Sequence, residues 1–423
     1  MNKSNYTLII DGNFFLFRTL YVLPKPKSDE QRLKNKKEVS MYINKLATDL
    51  TYQIRLFDGL IDEIVWTLDS KSWRKDFFPE AEYKGNRTND SSINWNNFSE
   101  ATDRFCEILK SNGIIISKTD GAEGDDLIYA WNTQILSDKD NPKSTIIFTG
   151  DRDLNQLVTT NKANENHCIL FSPANKKLYT YEGFSDWLEI SEEDNKQSNE
   201  SSNESFDFFD SLKIENTKEK EIKKTLSNII KTKKLELIEL NTDEFRFKKV
   251  LTGDKGDNVM SAYWYRKTTK SGQERLYGIS NAKAQSIVDE FKQKHGGLNI
   301  LWFYNDDYLK DLRNILIRQT KAKFMKSSEI LNNIKNNINL MILDSKTIPE
   351  DILNEMFKSI EEFKSMNIKL NIKSANTAKK LLEGTEFAKK DISISSPILD
   401  DSDDDGDDDF SFIKSKNKPK NLF

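Results

Sequence analysis

Cysteine and histidine are nearly missing from this sequence. Its 423 residues hold two of each, Cys106 and Cys168, His167 and His295, and apart from the adjacent His167-Cys168 none is near another. Two cysteines make no disulfide framework, and isolated soft donors make no zinc set. Any metal chemistry here must therefore run through oxygen ligands, and the redox environment expected is a reducing cytoplasm. Long apolar runs are missing too. No stretch reaches the ~20 residues of a membrane helix, and Tyr6–Ile10 is too short for a signal-peptide core. The expectation is a soluble, monomeric, cytoplasmic protein with no membrane partner.

Charge is abundant, at 31% of residues, with a net value of −4. Eight aspartates crowd into Asp400–Asp409, and setting them aside turns the balance to +4. A basic body with an acidic tail suits a protein that meets nucleic acid. Residues 393–423 read as a disordered acidic tail. Residues 189–211, "EISEEDNKQSNESSNESFDFFDS", read as a low-complexity insert between two lobes.

The first lobe, 1–188, alternates strand and helix signals. "YTLIIDG", "EIVWTLD", "GIIIS" and "STIIFTGD" are short apolar runs that end in turns. Between them, helical spacing runs from Val39 to Phe57, from a cap at Ser99 through Leu109, and along "EGDDLIYAWNTQIL". This alternation predicts an α/β fold with a mainly parallel central sheet flanked by helices. A mostly helical lobe follows over 212–392, with a basic, aromatic hairpin at 260–278 turning at Ser271-Gly272.

In parallel sheets, ligands bind beyond the carboxyl ends of the strands. Asp11, Asp69 and Asp151 each stand at or just past such an end, and Glu123, Asp125 and Asp126 open a helix that follows another. Taken singly, each acid is explained as a helix cap or turn residue. Four segments delivering acids to one edge call for more than caps. Clustered carboxylates need hard cations, and two such ions about 3.5–4 Å apart suit phosphodiester hydrolysis. The acidic corner also occurs twice: "FTGDRDLNQLV" presents Asp151 and Asp153, and "VLTGDKGDNV" presents Asp254 and Asp257. Asp-x-Asp at a strand end suits ligands shared between ions, and Asp-x-x-Asp suits an outer one.

"IIDGNFFLFR", "TLDS", "YKGNR", "GAEGDDLI", "FTGDRDLNQLV" and "LTGDKGDN" occur in that order. Together they resemble the 5′-nuclease (flap endonuclease) superfamily, and within it the ribonuclease H/5′-3′ exonuclease group of T-even phages. The resemblance implies a metal-dependent 5′→3′ nuclease that removes RNA primers and 5′ flaps during lagging-strand replication, in the host cytoplasm if phage-encoded. It implies two Mg²⁺ ions, replaceable by Mn²⁺. Asp11, Asp69, Glu123 and Asp125 would serve the inner ion, with Asp151 and Asp153 between the two. Asp254 and Asp257 would complete the outer ion's shell, and Asp126 would stand in or just behind the ligand set.

The segment of about 70–98 would be a helical arch over the site. There Lys84 and Arg87, one helical turn apart, would face the scissile phosphate, and Tyr83 would stack on a base. Arg266, Lys267, Lys270 and Lys283 are candidate nucleic-acid contacts beside a helix–turn–helix-like motif. Ser280 stands where the family pattern has a glycine, which counts against its K⁺ site. The tail, ending at Leu422-Phe423, resembles a docking peptide for a sliding clamp or a single-stranded-DNA-binding protein. A PIN-like endoribonuclease would share the sheet, but not the arch or the Asp254/Asp257 pair. A non-catalytic structure-specific DNA-binding protein would be expected to lack some of the acids. An aspartyl phosphatase would need an acid where Asn13 stands.

Overall fold

The computed structural model describes residues 6–188 (except 25–29, 89, 142 and 162–165), 208–269 and 271–366, with backbone alone for 208–218. Of the insert expected over 189–211, residues 189–207 lie outside the described residues, as do Lys270 and the acidic tail.

Its centre is a sheet ordered β3-β2-β1-β4-β6-β7-β8. The strands are β1 (Tyr6–Asp11), β2 (Ile61–Thr67), β3 (Ile115–Ser117), β4 (Ser144–Phe148), β5 (Thr159–Thr160), β6 (His167–Ser172), β7 (Lys177–Tyr181) and β8 (Glu236–Leu240). The five strands β3, β2, β1, β4 and β6 are mutually parallel, while β7 runs antiparallel to β6 and parallel to β8. Every residue of β1 and β4 is buried, as continuous apolar strands covered on both faces should be.

Helices α1 (Gly12–Val22), α2 (Lys36–Leu56) and α4 (Trp95–Ser111) follow the expected alternation, as does α5 (Gly124–Ser137). The short α3 (Trp73–Phe77) lies between β2 and α4. The cap of α4 is Asn94, whose side chain accepts from the Asn97 amide, so the helix starts one turn before Ser99. Gly12 sits where α1 crosses β2: a Cβ there would lie 2.3 Å from the Thr67 carbonyl and the Trp66 indole.

The two-lobe division is corrected by the packing. Helix α6 (Phe208–Lys233) begins before the expected start of the helical lobe at 212. Its Leu226 and Ile229, with Leu235, complete the core under the first sheet face, and β8 then pairs with β7. Residues 208–240 thus belong to the sheet domain, because the edge strand β7 offers a free ladder and an apolar flank for them. A separate helical core forms from α7 (Thr242–Thr252), α8 (Asn281–His295), α9 (Asp306–Thr320) and α10 (Ser327–Met341). The last described helix, α11 (Glu350–Ser365), returns to the sheet domain, packing Leu353, Met356 and Ile360 with the core that α5 shares. The hairpin expected at 260–278 is present as β9 (Tyr265–Thr268) and β10 (Glu274–Tyr277).

The arch is less helical than expected. Among its described residues only α3 and a single 3₁₀ turn at Pro79–Ala81 are helical between β2 and α4. Glu82 and Lys84 take positive φ angles of 47° and 55°, which breaks the helix and turns the chain back on itself. No described helix is long and apolar enough to cross a membrane.

Candidate active site

Strand register fixes the first acids. Asp11 pairs with Thr67 across β1–β2 and Ile10 with Phe148 across β1–β4, so Asp69 and Asp151 both project beyond the same edge as Asp11. Asp11 also caps α1, accepting from the Phe14 amide (3.0 Å) on one oxygen and from the Thr149 hydroxyl (2.8 Å) on the other. Asp69 accepts from the Gly124 amide at the start of α5 (2.6 Å), which draws β2 and α5 together. Glu123 caps α5, and Asp151 caps the 3₁₀ turn Arg152–Leu157 by accepting from the Asp153 amide (2.8 Å). The capping and clustering readings are therefore both true: the caps aim the carboxylates.

Their crowding shows in their ionisation. Burial, with smaller contributions from Asp69 and Asp151, pushes Asp11 up to about 7. Asp125 is raised well above the ordinary carboxylate range by burial and by Asp151 and Asp11. Asp69 and Asp151 are raised as well, again chiefly by burial.

The second acidic corner leaves the end of α7, not a strand. Gly253, at φ 70°, breaks the helix, and a Cβ on it would meet the Val259 carbonyl at 2.5 Å. Asp254 and Val259 then close a loop through two backbone hydrogen bonds (2.9 and 2.7 Å). Asp254 accepts from the Gly256 amide (2.7 Å) inside that loop.

Lys249, which the sequence reading missed, joins the two corners. It is 8% exposed. Its ammonium contacts Asp153 and lies 3.3 Å from Asp254. Burial works against its charge, yet Asp153 and Asp254 raise its pKa. Asp153 is pushed up to about 7 by burial, against the opposing pull of Lys249. Burial also opposes the ionisation of Asp254, but Lys249 and the Gly256 amide hold it below the ordinary range.

Lys84 and Arg87 reach the acids from a turn rather than from one face of a helix. The Lys84 ammonium donates to Glu123 (2.6 Å), and Arg87 forms an ion pair with Asp257. Lys84 is raised by Glu123 and Asp257 in spite of its burial. Backbone contacts secure the segment: the Lys84 amide donates to Asp257 O (2.8 Å), and the side chains of Asn258 and Asn86 donate to Glu82 O and Lys255 O. Tyr83 is corrected as a base-stacking candidate. It is 6% exposed, and its hydroxyl donates to Glu123 and Asp257 (both 3.1 Å), so its ring faces the protein.

Asp126 stands behind the other acids. It is fully buried. Its oxygens accept from both Arg74 terminal nitrogens (3.0 and 2.8 Å), the Trp73 indole (3.1 Å) and the Glu123 amide (3.0 Å). Those four donors occupy it, and its work is to hold α3 against α5. Arg74, also missed, donates further to Glu123 (3.1 Å) and to Leu340 O (2.9 Å).

The outer basic residues are placed apart from the acids. Arg266 and Lys267 are exposed on the hairpin, and the Lys283 amide is taken by Ser280, which caps α8 (3.3 Å). His167 is a core residue sharing a hydrogen bond with the Tyr6 hydroxyl (2.5 Å).

The donor set fits hard divalent cations: it is all oxygen, and burial and mutual repulsion hold several of its members above their ordinary pKa values. Among the described residues, no three such side chains stand as a ready metal cage. Lys84, Arg87 and Lys249 neutralise the cluster instead.

A parallel sheet that gathers carboxylates at its carboxyl edge, under a basic strap, defines a class of enzyme whose chemistry rests on acids. The family comparison is more specific: residues 6–186 match the model of the 5′-3′ exonuclease, N-terminal resolvase-like domain. Residues 6–186 therefore carry a domain of this 5′-3′ exonuclease family. No curated protein matches it. Among solved structures it is similar to the bacteriophage T5 D15 protein co-crystallised with metal ions (15% identity, TM-score 0.44, covering 85% of this chain and 99% of that one). A T5 D15 flap endonuclease complex with DNA and metal ions gives 15% identity and a TM-score of 0.43 over the same shares. The catalytic core of Rad2 with DNA substrate gives 11% and 0.33, covering 91% of this chain and 88% of that one. Likenesses this loose carry no weight in the assignment, which rests on the family model.

Proposed function

We propose that this chain is a divalent-metal-dependent 5′→3′ nuclease acting on 5′ ends and flaps of duplex DNA and on RNA primers, as lagging-strand replication requires. The observation that carries this reading is the convergence of Asp11, Asp69, Glu123, Asp125 and Asp151 at one sheet edge, directly under Lys84. Asp11, Asp69, Glu123 and Asp125 would hold an inner Mg²⁺ (or Mn²⁺). Asp151 and Asp153 would lie between the ions, and Asp254 and Asp257 would hold the outer one. Such ions supply Lewis acidity to the scissile phosphate and acidify a water.

The chain's own residues do the rest. Lys84 and Arg87 balance carboxylates in the free protein. When a phosphodiester enters they exchange Glu123 and Asp257 for phosphate oxygens, and so stabilise charge as it develops there. Lys249 keeps Asp153 and Asp254 at a fixed separation, and Arg74 with Asp126 anchors the strap to α5. Further nucleic-acid backbone contacts fall to Lys283 and to Arg266 and Lys267 on the hairpin.

Cleavage of 5′-flap, 3′-flap and RNA–DNA substrates with Mg²⁺, comparing the chain with Asp153→Asn, tests this. The expected result is Mg²⁺-dependent 5′-end cleavage that the substitution abolishes. Magnesium-independent cleavage, a 3′ preference or full activity in the variant refutes it.

A further inference from the structure

The hairpin β9–β10 is anchored at its base and open above it. Ser261 Oγ donates to Leu251 O and accepts from the Ile279 amide (both 2.9 Å). Asn337 and Asn333 donate to Met260 O (2.9 Å) and Ala262 O (3.2 Å). Tyr263 is buried in the helical core. Beyond that base, the described residues 271–278 are all exposed.

Within this open part three rings form a ladder. Tyr265 stacks on Tyr277 (centroids 5.4 Å, planes 13° apart) and on Phe324 (5.0 Å, 25°). Phe324 comes from the connection between α9 and α10, so two separate segments build the ladder. Its outer members are not covered: Phe324 is 69% exposed and Tyr277 38%, beside Leu276 at 43%. An aromatic ring left in water adds little to folding, so burial does not explain these two. Exposed cations lie on the same two segments: Lys267 and Arg275 pair across the hairpin on the face that carries Tyr265 and Tyr277, Arg266 lies on the opposite face, and Lys321 and Lys323 precede Phe324 in its connection. Glu274 is the one acid in the described part of the hairpin arms.

We propose that this ladder is a stacking site for unpaired nucleobases, so that the hairpin holds a single strand. Near-parallel rings present flat outer faces, which any base can meet through its π-face, and the flanking cations suit a sugar-phosphate backbone. A protein partner is less well matched, because lysine is depleted from interface centres. The hairpin begins eight residues after Asp257, so the choice of polymer rests on reading the neighbouring acids as a nuclease centre. The strand held here is then the unpaired part of the substrate.

The test reads binding without cleavage, so that it and the nuclease reading can fail separately. The full chain in EDTA is titrated against a fluorescein-labelled oligothymidylate and followed by anisotropy. Phe324→Ser and Tyr277→Ser should each weaken binding by about fivefold or more, the scale of one base–aromatic stack. Phe324→Tyr and Tyr277→Phe, which keep the rings, should bind as the parent does. Near-ultraviolet circular dichroism checks that each variant is folded. Affinity within twofold of the parent in both serine variants overturns the proposal and returns the face to a protein partner. The proposal fails equally if Arg266→Ser and Lys267→Ser weaken binding while the ring variants do not, since the attraction is then charge alone.

Discussion

Arg74→Met is the sharpest test of how the strap is held. The guanidinium is 2% exposed and connects three parts of the molecule: α3, the start of α5 through Glu123 and Asp126, and α10 through Leu340 O. Methionine fills most of the arginine stem but removes the charge. Glu123 keeps Lys84 and Tyr83 and stays compensated. Asp126 keeps the Trp73 indole and the Glu123 amide but loses its only cation, at zero exposure. Removing one partner of a buried pair costs about 3–5 kcal/mol, and the abandoned Leu340 carbonyl adds about 1 kcal/mol. With a urea m-value of about 3 kcal/mol/M, the unfolding midpoint should fall by about 1 M or more. Adding Asp126→Asn removes the uncompensated charge while retaining an acceptor for Trp73 and the Glu123 amide. The double variant should recover about 2 kcal/mol or more of the loss. A single variant within about 1 kcal/mol of the parent refutes the reasoning. So does a double variant as unstable as the sum of the singles, because the two residues would then not be energetically coupled.

Other consequences are as direct. Asp11 and Asp153, pushed up to about 7 mainly by burial, bind protons in the folded state that the unfolded chain has released. Their contribution to stability is present below the ordinary carboxylate pKa and is lost as pH rises toward 7. In EDTA the melting temperature should therefore fall between about pH 5 and pH 8, and Mg²⁺ should restore it at the upper end; a rise on going to pH 8 in EDTA contradicts this. Gly253→Ala should cost about 1–3 kcal/mol in a denaturant melt and impair cleavage, since its φ of 70° and the Val259 carbonyl 2.5 Å from the new Cβ leave no room; a neutral variant would show that the second corner is not under this constraint. Burial pushes the Cys168 thiol up to about 12 and the Cys106 thiol up to about 11. Neither should react with a disulfide reagent at neutral pH until the chain is unfolded, and prompt labelling of the native protein would refute the packing around them.

Much of the sheet was legible because its strands are short apolar runs ending in acids, and an apolar run with a turn behind it has few other uses. That pattern placed Asp11, Asp69 and Asp151 at one edge, and register brought them there. The strands β7 and β8 were not legible. "KLYTY" and "ELIEL" are five residues each and half polar, because each lies on the less covered side of the sheet. The arch was expected to be helical from the family resemblance, and Lys84 and Arg87 would then have stood one turn apart. What decides it is tertiary: Glu82 and Lys84 accept left-handed angles because the Asp257 carbonyl and Asn258 tie them down.

The same cause hid the cations that matter most. Arg74 and Lys249 lie in "SKSWRKD" and "FRFKKVL", where a run of positive charge reads as a solvated face. Yet each is nearly as buried as the core, and each faces acids contributed by another segment. A buried cation is stable only where fixed carboxylates wait for it, so its position records the acids rather than its own neighbours in sequence. This also accounts for the acidic corner being written twice. The first copy caps a turn at the sheet edge and the second a break after α7, and Lys249, in the last turn of α7, reaches both. The Asp-x-Asp corner leaves Asp153 free to turn toward the helical lobe. The Asp-x-x-Asp corner directs Asp254 to Lys249 and Asp257 to Tyr83 and Arg87. The wider spacing therefore lets one loop bind two elements at once, the lysine that joins it to the sheet and the strap that covers the site.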